Sequence, residues 1–523
     1  ALGGNFYLKV ENSLRKEIVK KNRLMLMKSK KKYYDYLKFL FLVLGTATQI
    51  TAHKIDHFNL FVCGILFIMV HNMLFSFEEY SRRVIYFLFN VTYFTFLLSR
   101  PVIGMFRGEL WWKEVTDADE YVWITLVLIS VGLYAIVLGG YLAIFLHEKL
   151  LNKFLMRTEN FNTTKLVFKE HLQVVSLLVF YVTLPLFFVQ ELEPLLYSSG
   201  KDYLSYYSEF QSQLPGIFHT LASFMKISLC VFLSTCPRKK RAFIPLVLYE
   251  LSAIPALLIG VRNPFMLNSM FILVYYLLRD AVENKEKWFG KIEKIAVGVA
   301  TPFTLVFMAV YAYIRGGNFV GSINPFKYIV EFFYSQGVTF NVIQMGYGYV
   351  DSLRLHLSHY TFGGIIDYIY YGTLGQRIWG TTPLPAGNCL ENAVYSHNLS
   401  HHLSYVSLKE SYLNGRGWGS SYLLENYVDY GYVGVLILGI ILGVILISFV
   451  YWFGKKNFLT TVILLSLTSI FLIPRAEATG WITFIVTLQF WVCVAGCYLG
   501  AFVLGQWKFL QGLLKKIKLY PQN

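Results

Sequence analysis

Three arginines stand alone where apolar runs of this chain end: Arg262 in IGVRNPF, Arg315 in YIRGGN and Arg475 in LIPRAEATG. A charge at the mouth of an apolar helix is costly to bury. A guanidinium fork matches the oxygens of a phosphate or diphosphate. Arg262 has the strongest setting. Pro264 suits the first turn of a helix, where its missing N–H is no loss. Arg262 and Asn263 then lie at the positive end of that helix, and backbone N–H groups, dipole and guanidinium together would cradle a phosphate. The plain alternative is a tight hairpin whose Arg262 snorkels to lipid headgroups. After Arg315, Gly316-Gly317 lets the chain turn at once. Singly, Arg315 and Arg475 read as interface anchors. With Arg262 they would form one basic pocket if the later helices pack as a bundle.

Proton chemistry has fewer candidates. The stretch GWGSSYLLENYVDYGYVG, 417–434, reads as a re-entry helix feeding a span. Glu425 and Asp429 are four apart and share one face. They could orient an arginine or take a proton from an attacking hydroxyl. An acidic first turn at the interface is the structural alternative. His397 suits a general base, because an unperturbed imidazole titrates near neutrality. His401 and His402 lie close by, but no carboxylate completes a familiar metal spacing, so no metal and no cofactor are expected. No P-loop or GxSxG elbow occurs. Within the membrane, Lys226 and Glu250 fall at similar depth on neighbouring antiparallel runs. They are read as a structural ion pair, with a proton or ion relay as the alternative.

These residues need helices to hold them. Of the 523 residues, 55% are hydrophobic and only 15% charged, and mean hydropathy is +0.49. A soluble chain carries about 25% charge, so the expected class is an all-α polytopic membrane protein. Apolar runs near the roughly 20 residues a span needs are read at 33–51, 58–75, 84–106, 121–146, 171–190, 215–234, 242–261, 264–279, 295–314, 432–453, 457–473 and 481–505. That gives about twelve transmembrane helices. The chain divides into a basic N-terminal segment 1–32, helices 1–9 over 33–314, a large loop 315–431, helices 10–12 over 432–505 and a basic tail 506–523. Met25 or Met27 is a candidate start. The net charge of +16 points to nucleic acid only if it is clustered. Instead most Lys and Arg fall in alternate connections, such as PRKKR at 237–241, which places both termini in the cytoplasm and excludes a nucleic-acid partner. Loop 315–431, then on the outer side, is rich in Tyr and Gly and holds His356, His359, His397, His401 and His402. A connection of that length is functional or disordered. Short helices are expected in it near 327–336 and 364–371. The six cysteines show neither a disulfide framework nor a zinc spacing.

The long outer loop, GWGSSYLLENYVDYGYVG after it, GVRNPF between two spans and YIRGG together resemble the O-antigen and capsular polysaccharide polymerases of the Wzy type. More distantly they resemble the O-antigen ligases. The likeness runs from about residue 33 over most of the chain. It implies a GT-C-like membrane fold and an inverting, metal-independent glycosyltransferase in the bacterial plasma membrane. Donor and acceptor would be undecaprenyl-diphosphate-linked oligosaccharides, with a chain-length regulator and a flippase as companions. It carries the diphosphate grip onto Arg262, and with it Asn263, Arg315 and Arg475. Where ligases place a histidine before the re-entry helix, this chain has Gly419-Ser420-Ser421, so His397 or Glu425 must serve as the base. A lipid-linked oligosaccharide flippase and a ligase-type transferase are the competing readings.

Overall fold

The computed structural model describes residues 32–151, 163–199, 205–282, 286–315, 325–355, 359–516 and 520. The basic segment before residue 32, the start at Met25 or Met27, the Gly316-Gly317 turn and His356 fall outside the described residues. So does the side chain of Arg315. Within them every regular element is helical.

Eleven described helices are long and apolar enough to cross a membrane. Including the helix that precedes them, the set is α1 (32–54), α2 (Phe58–Glu78), α3 (Tyr80–Arg107), α4 (Asp119–Lys149), α5 (Val167–Ser198), α6 (Gly216–Ser234), α7 (Lys239–Ile259), α8 (Asn263–Val282) and α9 (Lys291–Arg315). After the large loop come α10 (Tyr422–Trp452), α11 (Asn457–Leu467, extended by a 3-10 stretch to Arg475) and α12 (Leu488–Gln506). The protein is an all-α polytopic membrane protein. Eleven of the expected twelve spans meet the length and hydropathy a crossing needs. The first, α1, does not, because Thr46, Thr48, Gln49, Thr51 and His53 dilute its C-terminal half.

Two compact units divide at residue 83. In the first, α1 and α2 meet at Gly45 and Gly64, and a Cβ on Gly64 would lie 2.6 Å from Gln49 Cγ. Lys38 and Arg83 both reach Glu78, at 2.8 and 3.0 Å. The three are nearly buried, and such a cluster is tolerated only when its charges satisfy one another.

In the second unit, α4 and α10 form the most extensive helix pair. Small residues make the close approach possible, since lipid offers no hydrophobic drive and packing must supply the attraction. Gly139 lies against the Ile440 carbonyl and Gly443 against that of Ile136, and a Cβ on Gly439 would sit 2.6 Å from that of Ala135. Helices α5, α6, α11 and α12 pack together beside this pair. Helix α10 breaks at Gly431 (φ 64°, ψ −158°), so an arm, 422–430, buried over its first seven residues, precedes the apolar span. That backbone conformation is open essentially to glycine alone.

The large loop is a set of short helices, among them Pro325–Gln336 and Gly363–Tyr371, close to the two expected. An ion pair and a hydrogen bond fix the first of these to the end of α3 and the α3–α4 connection. Arg107 holds Glu331 at 2.6 Å and Arg100 holds Glu114 at 2.6 Å. Glu114 also accepts from Asn341 at 2.9 Å and from Tyr334. Burial works to raise the Glu114 carboxyl, but Tyr334, Asn341 and Arg100 outweigh it and hold the group below its usual range.

One boundary differs from expectation. The last span begins at Leu488, not at 481. Residues 476–487 leave the α-helical path, with one 3-10 turn at Thr483–Val486, because tertiary partners hold their start: Ala478 N–H goes to the Glu425 carboxylate and Thr479 Oγ1 to the Thr361 carbonyl. This irregular stretch helps to build the site.

Candidate active site

Helix α7 ends at Ile259, and Gly260, at φ 108°, turns the chain in the left-handed region that favours glycine. Arg262 caps the start of α8, its carbonyl accepting from Met266 N at 3.3 Å. Its guanidinium donates to the Met308 carbonyl at 3.2 Å, which steadies it against α9. Asn263 is the first residue of α8. Arg475 closes the 3-10 stretch after α11 and donates to Gln336 Oε1 at 2.8 Å. It also lies over the Phe96 ring.

These two arginines line one cavity of about 730 Å³. A third, Arg416, joins them from the strand of loop before the α10 arm. Asn263, Tyr207, His401, Tyr412 and Trp418 complete much of the wall, and no Asp or Glu is among its described lining residues. Three guanidinium groups give the described wall a positive field. A guanidinium has five N–H donors in a fixed fork, so it can hold a protein acceptor and a ligand oxygen together.

A second cavity, of about 380 Å³, adjoins the first, and Ser400, Gly419 and Arg475 belong to both. It is lined by Glu477, Ser420, Asn398 and Trp481, among others. Glu477 Oε1 accepts from Asn398 Nδ2 at 2.6 Å. Burial, and then the charge of Asp367, push its carboxyl up from the usual range.

The other acid–base candidates do different work. Glu425 is fully buried on the α10 arm and lines neither cavity. Its two oxygens accept from Ser420 Oγ at 2.6 Å and Ala478 N at 2.7 Å, stapling two loop segments together. Asp429, one turn on, accepts from Thr361 N at 2.7 Å and Tyr360 N at 3.3 Å. His397 faces Asp367: Nδ1 is 2.7 Å from Oδ1, and the His397 N–H donates to the same carboxylate. It lines neither cavity. His401 lines the larger one, with Nδ1 2.8 Å from Tyr412 Oη, and burial lowers its basicity. His402 turns instead to Tyr360, at 2.9 Å. Among the described residues no three His, Cys, Asp or Glu side chains gather as a metal site.

The expected Lys226–Glu250 pair is not formed. The acid whose charge reaches Lys226 is Glu191 on α5, whereas Glu250 accepts from Ser269 Oγ on α8 at 2.7 Å. Lys226 on α6 and Glu250 on α7 thus turn to different neighbours. Arg315 ends α9.

A family model for the O-antigen polysaccharide polymerase Wzy matches residues 35–506. The chain belongs to the Wzy O-antigen polysaccharide polymerase family. Comparison with curated proteins and with solved structures finds no match. Membership covers nearly the whole chain, so in this Wzy-family protein both cavities lie within the shared region. Sequence reasoning missed two of the residues that line them. Arg416 sits in NGRGWGS, a glycine-rich turn where an isolated cation could have been noticed. Glu477 stands two residues after Arg475 in a motif already singled out.

Proposed function

We propose that this Wzy-family chain polymerises oligosaccharide repeat units carried on undecaprenyl diphosphate, with both termini in the cytoplasm and the large loop and its cavities on the outer face. The observation that carries this reading is the convergence of Arg262, Arg416 and Arg475, from three distant segments, on one cavity with no Asp or Glu among its described lining residues. A glycosyl diphosphate needs counter-charge most as its C–O bond breaks, and fixed guanidinium groups supply it without reorganising. They provide the cationic charge a metal ion would otherwise bring, so the reaction is metal-independent. Attack from the face opposite the leaving group makes it inverting. Aromatic side chains such as Tyr207, from the α5–α6 connection, and Trp418, from the large loop, position the sugars.

The test is incubation of purified protein with a polyprenyl-diphosphate oligosaccharide. A ladder of lengths, insensitive to EDTA, is expected. Arg262→Ala should yield no ladder while the protein remains in the membrane. Normal long polymer from that variant would overturn the reading. A single transfer would indicate a ligase, and leaflet crossing without product a flippase.

A further inference from the structure

We propose that the smaller cavity receives the acceptor sugar and that Glu477 is the general base acting in it. The inference rests on the reading of the larger cavity as the diphosphate site. Arg475 is common to both cavities, so a diphosphate gripped by it lies at the threshold of the smaller one. Glu477 is the one carboxylate among the described lining residues of that smaller cavity. Its orientation is fixed from two sides. Asn398 donates to Oε1 at 2.6 Å, while Oε2 passes over Gly364, where a Cβ would come within 2.8 Å of it. Trp481 presents an indole to the same space, its Nε1 held by the Ala478 carbonyl at 3.0 Å. A carboxylate beside an aromatic face suits a sugar that must be both stacked and deprotonated.

The rival bases lack this access. Both oxygens of Glu425 are engaged inside the protein, and His397 is turned to Asp367. Burial beside Asp367 makes Glu477 a stronger base than an ordinary carboxylate, which favours proton transfer at neutral pH. In the step itself, the acceptor hydroxyl oxygen bonds to the anomeric carbon of the donor as the bond from that carbon to the diphosphate oxygen breaks. The bonding electrons leave with the diphosphate, held by the arginines. The hydroxyl proton passes to the Glu477 carboxylate and from there to water.

Glu477→Gln and Glu477→Asp, in purified full-length protein, would be assayed for polymer from a polyprenyl-diphosphate oligosaccharide and for binding of a fluorescent polyprenyl diphosphate. Glu477→Gln should lose polymerisation by about 100-fold or more and keep probe binding within about threefold of wild type. Glu477→Asp should retain measurable activity with a displaced acid limb in its pH–rate profile. Polymerisation by Glu477→Gln above about a tenth of wild type overturns the assignment. So does parallel loss of polymer and probe binding, which marks a structural role. So does an acid limb that moves in His401→Ala or His397→Ala but not in Glu477→Asp. A wild-type protein that makes no polymer fails the polymerase reading first, and this inference with it.

Discussion

Arg475 touches both cavities, whereas Arg262 and Arg416 touch only the larger, and that difference can be measured. A charge-assisted hydrogen bond is worth about 1.5–3 kcal/mol. Arg416→Ala should therefore weaken binding of a fluorescent polyprenyl diphosphate by roughly tenfold to a hundredfold, as read by titration. Arg475→Ala should do the same and also raise the KM for the acceptor, which Arg416→Ala should leave alone. Glu477 makes a stability prediction of definite sign. Its folded carboxyl is raised by burial and by Asp367, so ionisation opposes folding. The favourable contribution is full at acid pH and is lost as pH rises through the raised value. Glu477→Gln should then melt higher than wild type at pH 8 in detergent, with the gap closing below the ordinary carboxylate range near pH 4. A gap that widened on acidification would contradict that sign. Arg262 and Arg475 were legible in the sequence because an isolated cation at the end of an apolar run is conspicuous. Glu477 was not, since a glutamate two residues from an arginine reads as its partner. The Lys226–Glu250 pairing failed for a geometric reason: residue counting gives depth along a helix but not azimuth about its axis.

Eleven spans were legible as elements because a run of about 20 apolar residues has few other fates. The irregular stretch 476–487 was not. Its composition is apolar enough to extend the last helix, and only the carboxylate of Glu425 and the carbonyl of Thr361, remote in sequence, draw its backbone away. Two glycine substitutions probe how these elements hold the site. Gly443→Leu would drive a side chain into the Ile136 carbonyl and force α4 and α10 apart. Overpacking of this kind costs about 1–3 kcal/mol, visible as a lower melting midpoint of the detergent-solubilised protein. In Gly364→Ala the tight contact is with the flexible end of Glu477, Thr483 Oγ1 lying farther off at 3.4 Å. It should leave the midpoint nearly unchanged yet lower polymerisation several-fold by displacing the carboxylate. A loss of stability equal to that of Gly443→Leu would show that Gly364 matters to folding instead.

For the molecule as a whole, the distribution of Lys and Arg fixes the expected orientation, and it can be checked directly. Lys409, in the large loop, and Lys240, in the first turn of α7, are both exposed. In a background without native cysteines, Lys409→Cys should react with an impermeant maleimide on intact cells, and Lys240→Cys only after permeabilisation. The reverse pattern would invert the topology and move the cavities to the cytoplasmic face. Family membership was legible from short motifs scattered over the chain. The enclosure of two adjoining cavities was not, because it depends on contacts between segments more than a hundred residues apart, such as Arg475 with Gln336. The break at Gly431 bears on how such a protein can change over generations. Above it, the arm is tied by Glu425 and Asp429 to the loop. Below it, the span answers only to its helical neighbours and to lipid. A single joint thus separates a segment bound into the large loop from a scaffold of packed spans. The loop side can drift while the anchoring side stays as it is.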